Sequence, residues 1–166
     1  VPLITWEGWL FDNLQMTGPI EEQDYGELTS ETSIRVTDPT HPLAAGLSGD
    51  VRTALVNNGT SNKFHWGVPN QNAIIVATTL ANGNRAHIFA YEKGAMMVGL
   101  FAPARRVGFH NATGTNLTLD GWRLFDAAVQ WAINCTPAAT PTPTAPVPGT
   151  PTPTATGTLT MPPATA

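Results

Sequence analysis

Imidazoles and thiols are the side chains that most often carry protons or bind metals, and this chain has four histidines and one cysteine. Metal-binding histidines usually show His-x-His or helical i, i+4 spacing, and His41, His87 and His110 show neither. Cys135, as the single cysteine, permits no internal disulfide and no multi-cysteine metal site. We therefore predict no metal centre and no cofactor.

Two of these histidines have local contexts that favour structural positions. His41 lies between Pro39 and Pro42, so we expect it in a turn and keep it only as a candidate binding residue. His87 alternates with Arg85 along a predicted strand, which indicates a surface or half-buried position.

Aromatic side chains offer a second kind of chemistry, because their flat apolar faces suit the stacking of sugar rings. Six residues are candidates for such a platform: Trp6, Trp9, Phe11, Phe64, Trp66 and Tyr91. Trp6 and Trp66 are expected in the core. Trp9 is the better candidate for an exposed ring, because it flanks a tight turn after the first predicted strand.

Short strands dominate the elements that must position these side chains. The pattern predicts a strand, turn and short helix over residues 2–14, a polar loop over 17–27, strands over 32–37 and 51–56, a helical turn over 41–47, a hairpin over 73–91 with its turn at 82–84, and an extended segment over 105–109. This combination favours an α/β sheet, with an all-β sandwich carrying one helix as the alternative.

The clearest predicted element is a helix over residues 119–134. Thr118 can cap its first turn. The side chains at helical spacing, expected to pack on the sheet, are Trp122, Phe125, Val129 and Ala132.

Charge and hydropathy exclude two classes of partner. Eight Lys and Arg against twelve Asp and Glu give a net charge of −4, which argues against a nucleic-acid-binding face. No apolar run approaches the roughly 20 residues that span a bilayer, so we predict no membrane span.

The last 31 residues, 136–166, have no charged side chain and contain 11 Thr and 9 Pro. Such a composition cannot bury enough apolar surface to fold and is typical of linkers in secreted or cell-surface modular proteins. We therefore predict a folded domain over residues 1–135, a disordered linker over 136–166, and further domains of a larger polypeptide as partners. The chain begins at Val1 without a Met, so we also expect an upstream segment.

Two stretches resemble the ThuA-like branch of the class I glutamine-amidotransferase-like proteins. They are residues 36–47, VTDPTHPLAAGL, and residues 106–110, RVGFH, followed by residues 120–132, DGWRLFDAAVQWA. The resemblance implies a flavodoxin-like, doubly wound sheet whose first strands and helices are missing from this chain. In such sheets ligands lie beyond the carboxyl ends of the strands.

The resemblance also places Glu7 at the elbow turn where catalytic relatives carry a cysteine nucleophile. Glutamate cannot replace a thiolate in amide transfer, and Cys135 is in the wrong place, so classical amidotransferase chemistry is excluded. His110 stands where the catalytic histidine would, but Asn111-Ala112 follows it in place of the expected Pro-Glu. Glu7 and His110 are therefore candidates for general acid/base catalysis on a sugar or an ester. Otherwise, His110 is an exposed loop residue and Glu7 accepts backbone donors at a helix start.

We accordingly expect a non-catalytic or degenerate module that serves interaction or carbohydrate association. The alternative is a hydrolase that uses Glu7 and His110. The candidate binding residues are Trp9, Asp12, His41 and Glu92.

Overall fold

The computed structural model describes residues 1–29, 31–55, 63–110 and 116–133. The chain divides into two units, Val1–Cys135 and Thr136–Ala166, and the described residues all belong to the first. The predicted linker and Cys135 lie outside the described residues. Within the described ranges, no helix combines the length and the apolar character that crossing a membrane requires.

The described residues form eight strands, two α-helices and one 3-10 turn. In chain order they are β1 (Leu3–Thr5), α1 (Trp9–Asn13), β2 (Tyr25–Thr29), β3 (Ser33–Val36), the 3-10 turn Pro42–Ala44, β4 (Gly49–Arg52), β5 (Lys63–Gly67), β6 (Ile74–Thr78), β7 (Ala86–Tyr91), β8 (Arg106–Gly108) and α2 (Leu119–Ile133). The predicted strand-rich α/β class is confirmed.

All eight strands belong to one sheet, whose main path runs β1-β8-β7-β6-β3-β4. β1 and β8 are parallel, with Leu3 opposite Arg106, and the other pairs among the described strands are antiparallel. β5 branches from this path, because it pairs with β7 through Gly67 and Ala86 and with β2 along its whole length. The branch brings β2 and β5 to the carboxyl end of β1.

The core lies on both faces of the sheet. On one face, Ile88 and Ala90 of β7 pack in a cluster with Leu124 and Trp131 of α2. On the other face, Phe89 packs in a second cluster with Phe11, the buried side chain of α1. Because both faces are covered, all six residues of β7 are buried. The predicted surface or half-buried position of His87 is therefore wrong, since its side chain is 1% exposed.

Helix α2 begins as predicted, because the Thr118 hydroxyl accepts a hydrogen bond from the Gly121 N–H at 3.1 Å. The buried stripe agrees with the prediction only in part: Ala132 is buried and Phe125 packs against the core as predicted, but Leu124, Ala128 and Trp131 are also buried, whereas Trp122 is 44% exposed. The difference is a rotation of the helix by about one residue, and α2 packs against β1, β4, β8 and the 3-10 turn in this orientation.

Strands β2 and β5 are the main departures from the predicted elements. β2 begins at Tyr25, inside the predicted polar loop, and β5 is not predicted by the local pattern. The two strands stabilise each other through five consecutive residue pairs, so their formation depends on a pairing between segments distant in sequence.

Candidate functional site

The turn that follows β1 leads directly into α1. The N–H groups of Leu10 and Phe11 donate to the carbonyls of Glu7 and Gly8, both at 3.0 Å. Phe11 is fully buried against Phe89 of β7 and fixes the short helix on the sheet. Glu7 and Gly8 therefore lie just beyond the carboxyl end of β1, the strand that runs parallel to β8.

His65 of β5 lies directly beneath this turn. Its Nδ1 accepts a hydrogen bond from the Gly8 N–H at 2.6 Å, so the ring proton of the neutral imidazole is on Nε2. Nε2 lies 3.8 Å from Oε2 of Glu27, the residue directly opposite on β2. Burial lowers the pKa of His65, and the carboxylates of Glu7 and Glu27 oppose that shift. His65 is therefore an uncharged side chain that accepts a hydrogen bond from the backbone of the turn.

Trp9 covers His65 from the solvent side. The two rings meet edge-on with centroids 6.0 Å apart, and the indole remains 43% exposed. The indole N–H donates to Glu7 Oε2 at 3.2 Å, and Lys63 Nζ lies 5.8 Å from the ring centroid. Lys63 also pairs with Glu27 at 3.0 Å, so acidic and basic side chains surround one exposed ring.

A crevice opens between this turn and β2. Gly8, Trp9, Tyr25, Gly26, Glu27 and His65 line it. It is too narrow to admit a water molecule, so the site presents a surface and not an enclosed cavity. The predicted exposure of Trp9 is confirmed.

Behind His65 lie two more buried imidazoles, and we name His65, His87 and His110 the histidine cluster. The ring nitrogen Nδ1 of His87 donates to the backbone carbonyl of His65 at 2.8 Å. The backbone N–H of His65 donates to the backbone carbonyl of His110 at 2.7 Å. The rings of His87 and His110 lie 6.0 Å apart, and Phe64 packs against both. His110 Nε2 shares a 2.9 Å hydrogen bond with Thr53 Oγ1.

Burial keeps the histidine cluster uncharged. It lowers the pKa of His87 to about 4 and, with His87 and His65 as further causes, holds the pKa of His110 well below its usual value. One ring nitrogen of each member, Nε2 of His65 and His87 and Nδ1 of His110, has no hydrogen-bond partner in the described structure. In the described ranges, no group of three or more His, Cys, Asp or Glu residues has a geometry that could hold a metal ion.

The two residues of the candidate acid/base pair have different partners. His110 is fully buried and bonded to Thr53, so the expectation of an exposed loop histidine is wrong. Glu7 accepts the indole N–H of Trp9 in place of the expected backbone donors, and its charge acts on His65. The charged or titratable neighbours that shift the pKa of His110 are the other two histidines. Catalysis by Glu7 and His110 stays a prediction.

Asp12 lies on α1 beside this site. Its Oδ1 accepts the N–H of Asn13 at 2.7 Å. Tyr25 lines the crevice. Burial, and after it the charges of Asp12 and Glu21, raise the pKa of the Tyr25 hydroxyl. Asp12 and Trp9 therefore share one end of the molecule.

His41 and Glu92 lie at the opposite end of β1. β7 runs antiparallel to β8, so Glu92 lies where β8 and its parallel neighbour β1 begin. Glu92 pairs with Arg105 at 2.8 Å, and that guanidinium stacks 4.4 Å from the ring centroid of Trp131. The His41 ring packs on the same indole at 5.6 Å, and its Nδ1 accepts the N–H of Leu43. The predicted binding residues thus fall into two pairs, with Trp9 and Asp12 at the carboxyl end of β1 and His41 and Glu92 at its opposite end.

The other aromatic candidates occupy different positions. Trp66 is fully buried as predicted, whereas Trp6 is 39% exposed, so its predicted core position is wrong. The Trp6 and Trp122 rings both pack on Phe125, at 5.3 and 5.9 Å, and this partner on α2 holds Trp6 at the surface. Phe11, Phe64 and Tyr91 are fully buried and cannot join an exposed platform.

The sequence analysis missed His65 and Glu27, the two residues that support the turn. His65 lies between two aromatic residues in a strand that the local pattern does not predict, and Glu27 lies in a predicted loop. Their relation exists only through the β2–β5 pairing.

Comparison of this chain with family models, with curated proteins and with solved structures gives no match. Its function must therefore be inferred from its own residues and geometry.

Proposed function

We propose that this chain is a non-catalytic, degenerate amidotransferase-like module of a secreted or cell-surface modular protein, and that it associates with carbohydrate through the surface around Trp9. The parallel β1–β8 pair and the packing of α2 against both strands support a flavodoxin-like origin. The observation that carries the proposal is the turn after β1, where the Gly8 N–H is bonded to a neutral histidine and Glu7 stands at the position that the resemblance assigns to a nucleophile.

This turn lacks the groups that acyl transfer needs. A backbone N–H at an elbow can stabilise a developing oxyanion only if it is free to point at the substrate. The Gly8 N–H instead donates to His65 at 2.6 Å, inside the protein. The crevice beside it has no room for a water molecule, which favours a role for the exposed surface over acyl transfer.

Sugar association is supported by the exposure and fixation of Trp9. Its hydrogen bond to Glu7 fixes the indole, so little side-chain freedom is lost when a ligand stacks on it. Glu7, Glu27 and Lys63 place carboxylate and ammonium groups beside the ring, where they can hydrogen-bond sugar hydroxyls. An indole face combined with such polar neighbours is an ordinary carbohydrate-binding surface.

The composition of residues 136–166 supports the proposal that this module belongs to a secreted or cell-surface protein with several domains. An uncharged Thr/Pro-rich segment is typical of linkers between secreted domains, so other domains of the same polypeptide are the expected partners.

A glycan array tests the proposal with the intact chain and two tryptophan variants. We expect Trp9→Ala to weaken glycan binding by about tenfold or more, because the stacking face is lost. Trp122→Ala is the matched control, since its ring is equally exposed, at 44% against 43%, but lies on α2. Binding that survives Trp9→Ala, or an array without any bound glycan, would contradict the proposal.

A parallel assay separates binding from catalysis. Chromogenic glycosides and esters are incubated with the intact chain and with Glu7→Gln. We expect no hydrolysis above buffer by either protein. Hydrolysis that is lost in Glu7→Gln would instead support the alternative hydrolase with Glu7 and His110.

A further inference from the structure

A cavity of about 410 Å³ lies between the loop that follows β5 and the turn that joins β6 to β7. Its size falls within the range of small-molecule sites, roughly 300–1,000 Å³. Ala73, Ile75 and Ala86 supply apolar surface, and Asn70, Gln71 and Asn84 supply carboxamides. Trp9 and the histidine cluster do not line it, so this cavity is distinct from the surface described above.

Two of the carboxamides are free to bind a ligand. Asn70 Nδ2 donates to the Met96 carbonyl at 3.0 Å, and its Oδ1 accepts the N–H of Asn72. The side chains of Gln71 and Asn84, in contrast, make no hydrogen bond within the described part of the chain and are exposed at the rim. Each offers one acceptor and two donors.

Both walls of the cavity are fixed before any ligand arrives. The Val68 N–H donates to the Asp24 carbonyl at 2.7 Å, and the Asn70 N–H donates to the Tyr91 hydroxyl at 3.2 Å. On the other wall, Thr79 Oγ1 both donates to the Asn82 carbonyl and accepts its N–H, each at 2.9 Å. Binding therefore orders the side chains of Gln71 and Asn84 but not the backbone of the walls.

The cavity is electrically neutral. None of the described residues that line it is charged. Arg85 follows Asn84 in sequence, but its guanidinium stacks on the Trp66 ring at 3.8 Å and its Nη2 donates to the Glu22 carbonyl. A charged ligand would therefore find no counter-charge in the described lining.

We propose that this cavity, here called the amide pocket, is a second binding site and that its ligand is an uncharged carbohydrate. Hydroxyl groups donate and accept as carboxamides do, so Gln71 and Asn84 match a polyhydroxylated ring edge. The aliphatic surface of Ala73 and Ile75 matches the C–H face of that ring. The amide pocket is independent of the proposed role of Trp9.

The test follows backbone amide signals by NMR on the isotope-labelled chain. Cellobiose and diacetylchitobiose are the neutral probes, and digalacturonate is the charged probe. We expect a neutral disaccharide to shift the amide signals of Gly83, Asn84 and Ala86 with millimolar affinity. The double variant Gln71→Leu/Asn84→Leu keeps side-chain bulk but removes both carboxamides, and should weaken binding by about tenfold.

Two further variants keep the result interpretable. A side chain at Gly83 meets open space, so Gly83→Leu should fold normally and block the pocket. Gln130→Leu changes an exposed carboxamide on α2 and should leave binding unchanged. Absence of shifts with both neutral probes, unaltered binding by the double variant, or equal binding of digalacturonate would overturn the assignment.

Three outcomes separate this site from Trp9 and from peptide binding. The shifts should persist in Trp9→Ala, and their loss there would overturn an independent pocket. Absence of shifts beside intact Trp9-dependent glycan binding would overturn the pocket and leave the proposed function standing. A Thr-Pro-Thr-Pro peptide matching residues 140–143 that binds more tightly than the sugars would overturn the carbohydrate assignment.

Discussion

His110 shows what a single buried side chain does in this molecule. Its position in the sequence suggests a catalytic or a loop histidine, yet the ring is fully buried and shares a hydrogen bond with Thr53, which is also fully buried. Its other ring nitrogen has no partner in the described structure. Thr53 is thus the one hydrogen-bond partner that the described residues give this ring, and His110 is held as part of the core.

This dependence predicts the effect of removing the hydroxyl. Thr53→Val keeps the shape of the side chain but leaves His110 Nε2 buried without a partner, and should lower the free energy of unfolding by about 1–3 kcal/mol. Urea denaturation measures the change. Thr29→Val, at an exposed position on β2, is the control and should change stability by less than about 0.5 kcal/mol. Equal losses in the two variants would contradict a structural role for the Thr53–His110 bond.

At the scale of elements, α2 depends on close contact at its first turn. A Cβ at Gly121 would lie 2.3 Å from the Thr53 carbonyl oxygen and 2.9 Å from Leu117 Cδ2. The same Thr53 carbonyl accepts the N–H of Thr118, the helix cap, at 2.9 Å. Glycine is therefore required here by packing and not by backbone conformation.

The effect of a glycine-to-alanine substitution on stability is consequently expected to have the opposite sign at this position. Gly→Ala inside a helix normally stabilises by up to about 1 kcal/mol. Gly121→Ala should instead destabilise by about 1–3 kcal/mol, because backbone must move to relieve the overlap. Thermal unfolding followed by circular dichroism measures the effect. Gly83→Ala, where a Cβ meets open space, should be neutral or slightly stabilising, and a stabilised Gly121→Ala would refute the packing argument.

Elements with strong local signals are the part of the fold that the sequence predicts. The β6–β7 hairpin, the strand–turn–helix at the beginning of the chain and α2 all occur as expected, because turn residues, caps and periodicity act locally. Strands β2 and β5 were not predicted, since each is stabilised by the other across 33 to 41 intervening positions.

The candidate site was predictable to the same limited extent. The turn at Glu7 and the exposed ring of Trp9 follow from local pattern. His65 and Glu27 do not, because only the β2–β5 pairing brings them beneath the turn. The burial of His87 and His110 also depends on tertiary structure, since both faces of the sheet are covered.

At the scale of the whole molecule, the described fold places uncharged imidazoles inside and ion pairs at the surface, two of them at the two ends of β1. Glu7, Glu27 and Lys63 surround Trp9 at the carboxyl end of β1, whereas Arg105 and Glu92 pair at the other end. Between these ends the histidine cluster lies in the interior as uncharged imidazoles. The folded state therefore excludes protons that the unfolded chain would bind, and its stability must depend on pH.

The direction of this dependence follows from the lowered pKa values of the cluster. Above the unfolded value of about 6.5, the histidines are neutral in both states and cost nothing. As the pH falls, the unfolded chain binds protons first, so stability decreases until the folded pKa is reached, which for His87 is about 4. His87 alone accounts for a loss of about 3 kcal/mol over that interval, and His65 and His110 add to it in the same direction.

Urea denaturation at a series of pH values from about 7 down to about 4 measures this loss directly. His87→Asn retains a donor for the His65 carbonyl but cannot titrate, so it should flatten the slope below about pH 6.5. His41→Asn, which alters a half-buried turn, should leave most of the slope in place. If His87→Asn fails to fold, NMR titration of the intact chain replaces it and should find the His87 ring neutral at about pH 5. A stability that is constant over this range, or a His87 that titrates near its ordinary pKa, would show that the cluster is not the acid-sensitive part of the fold.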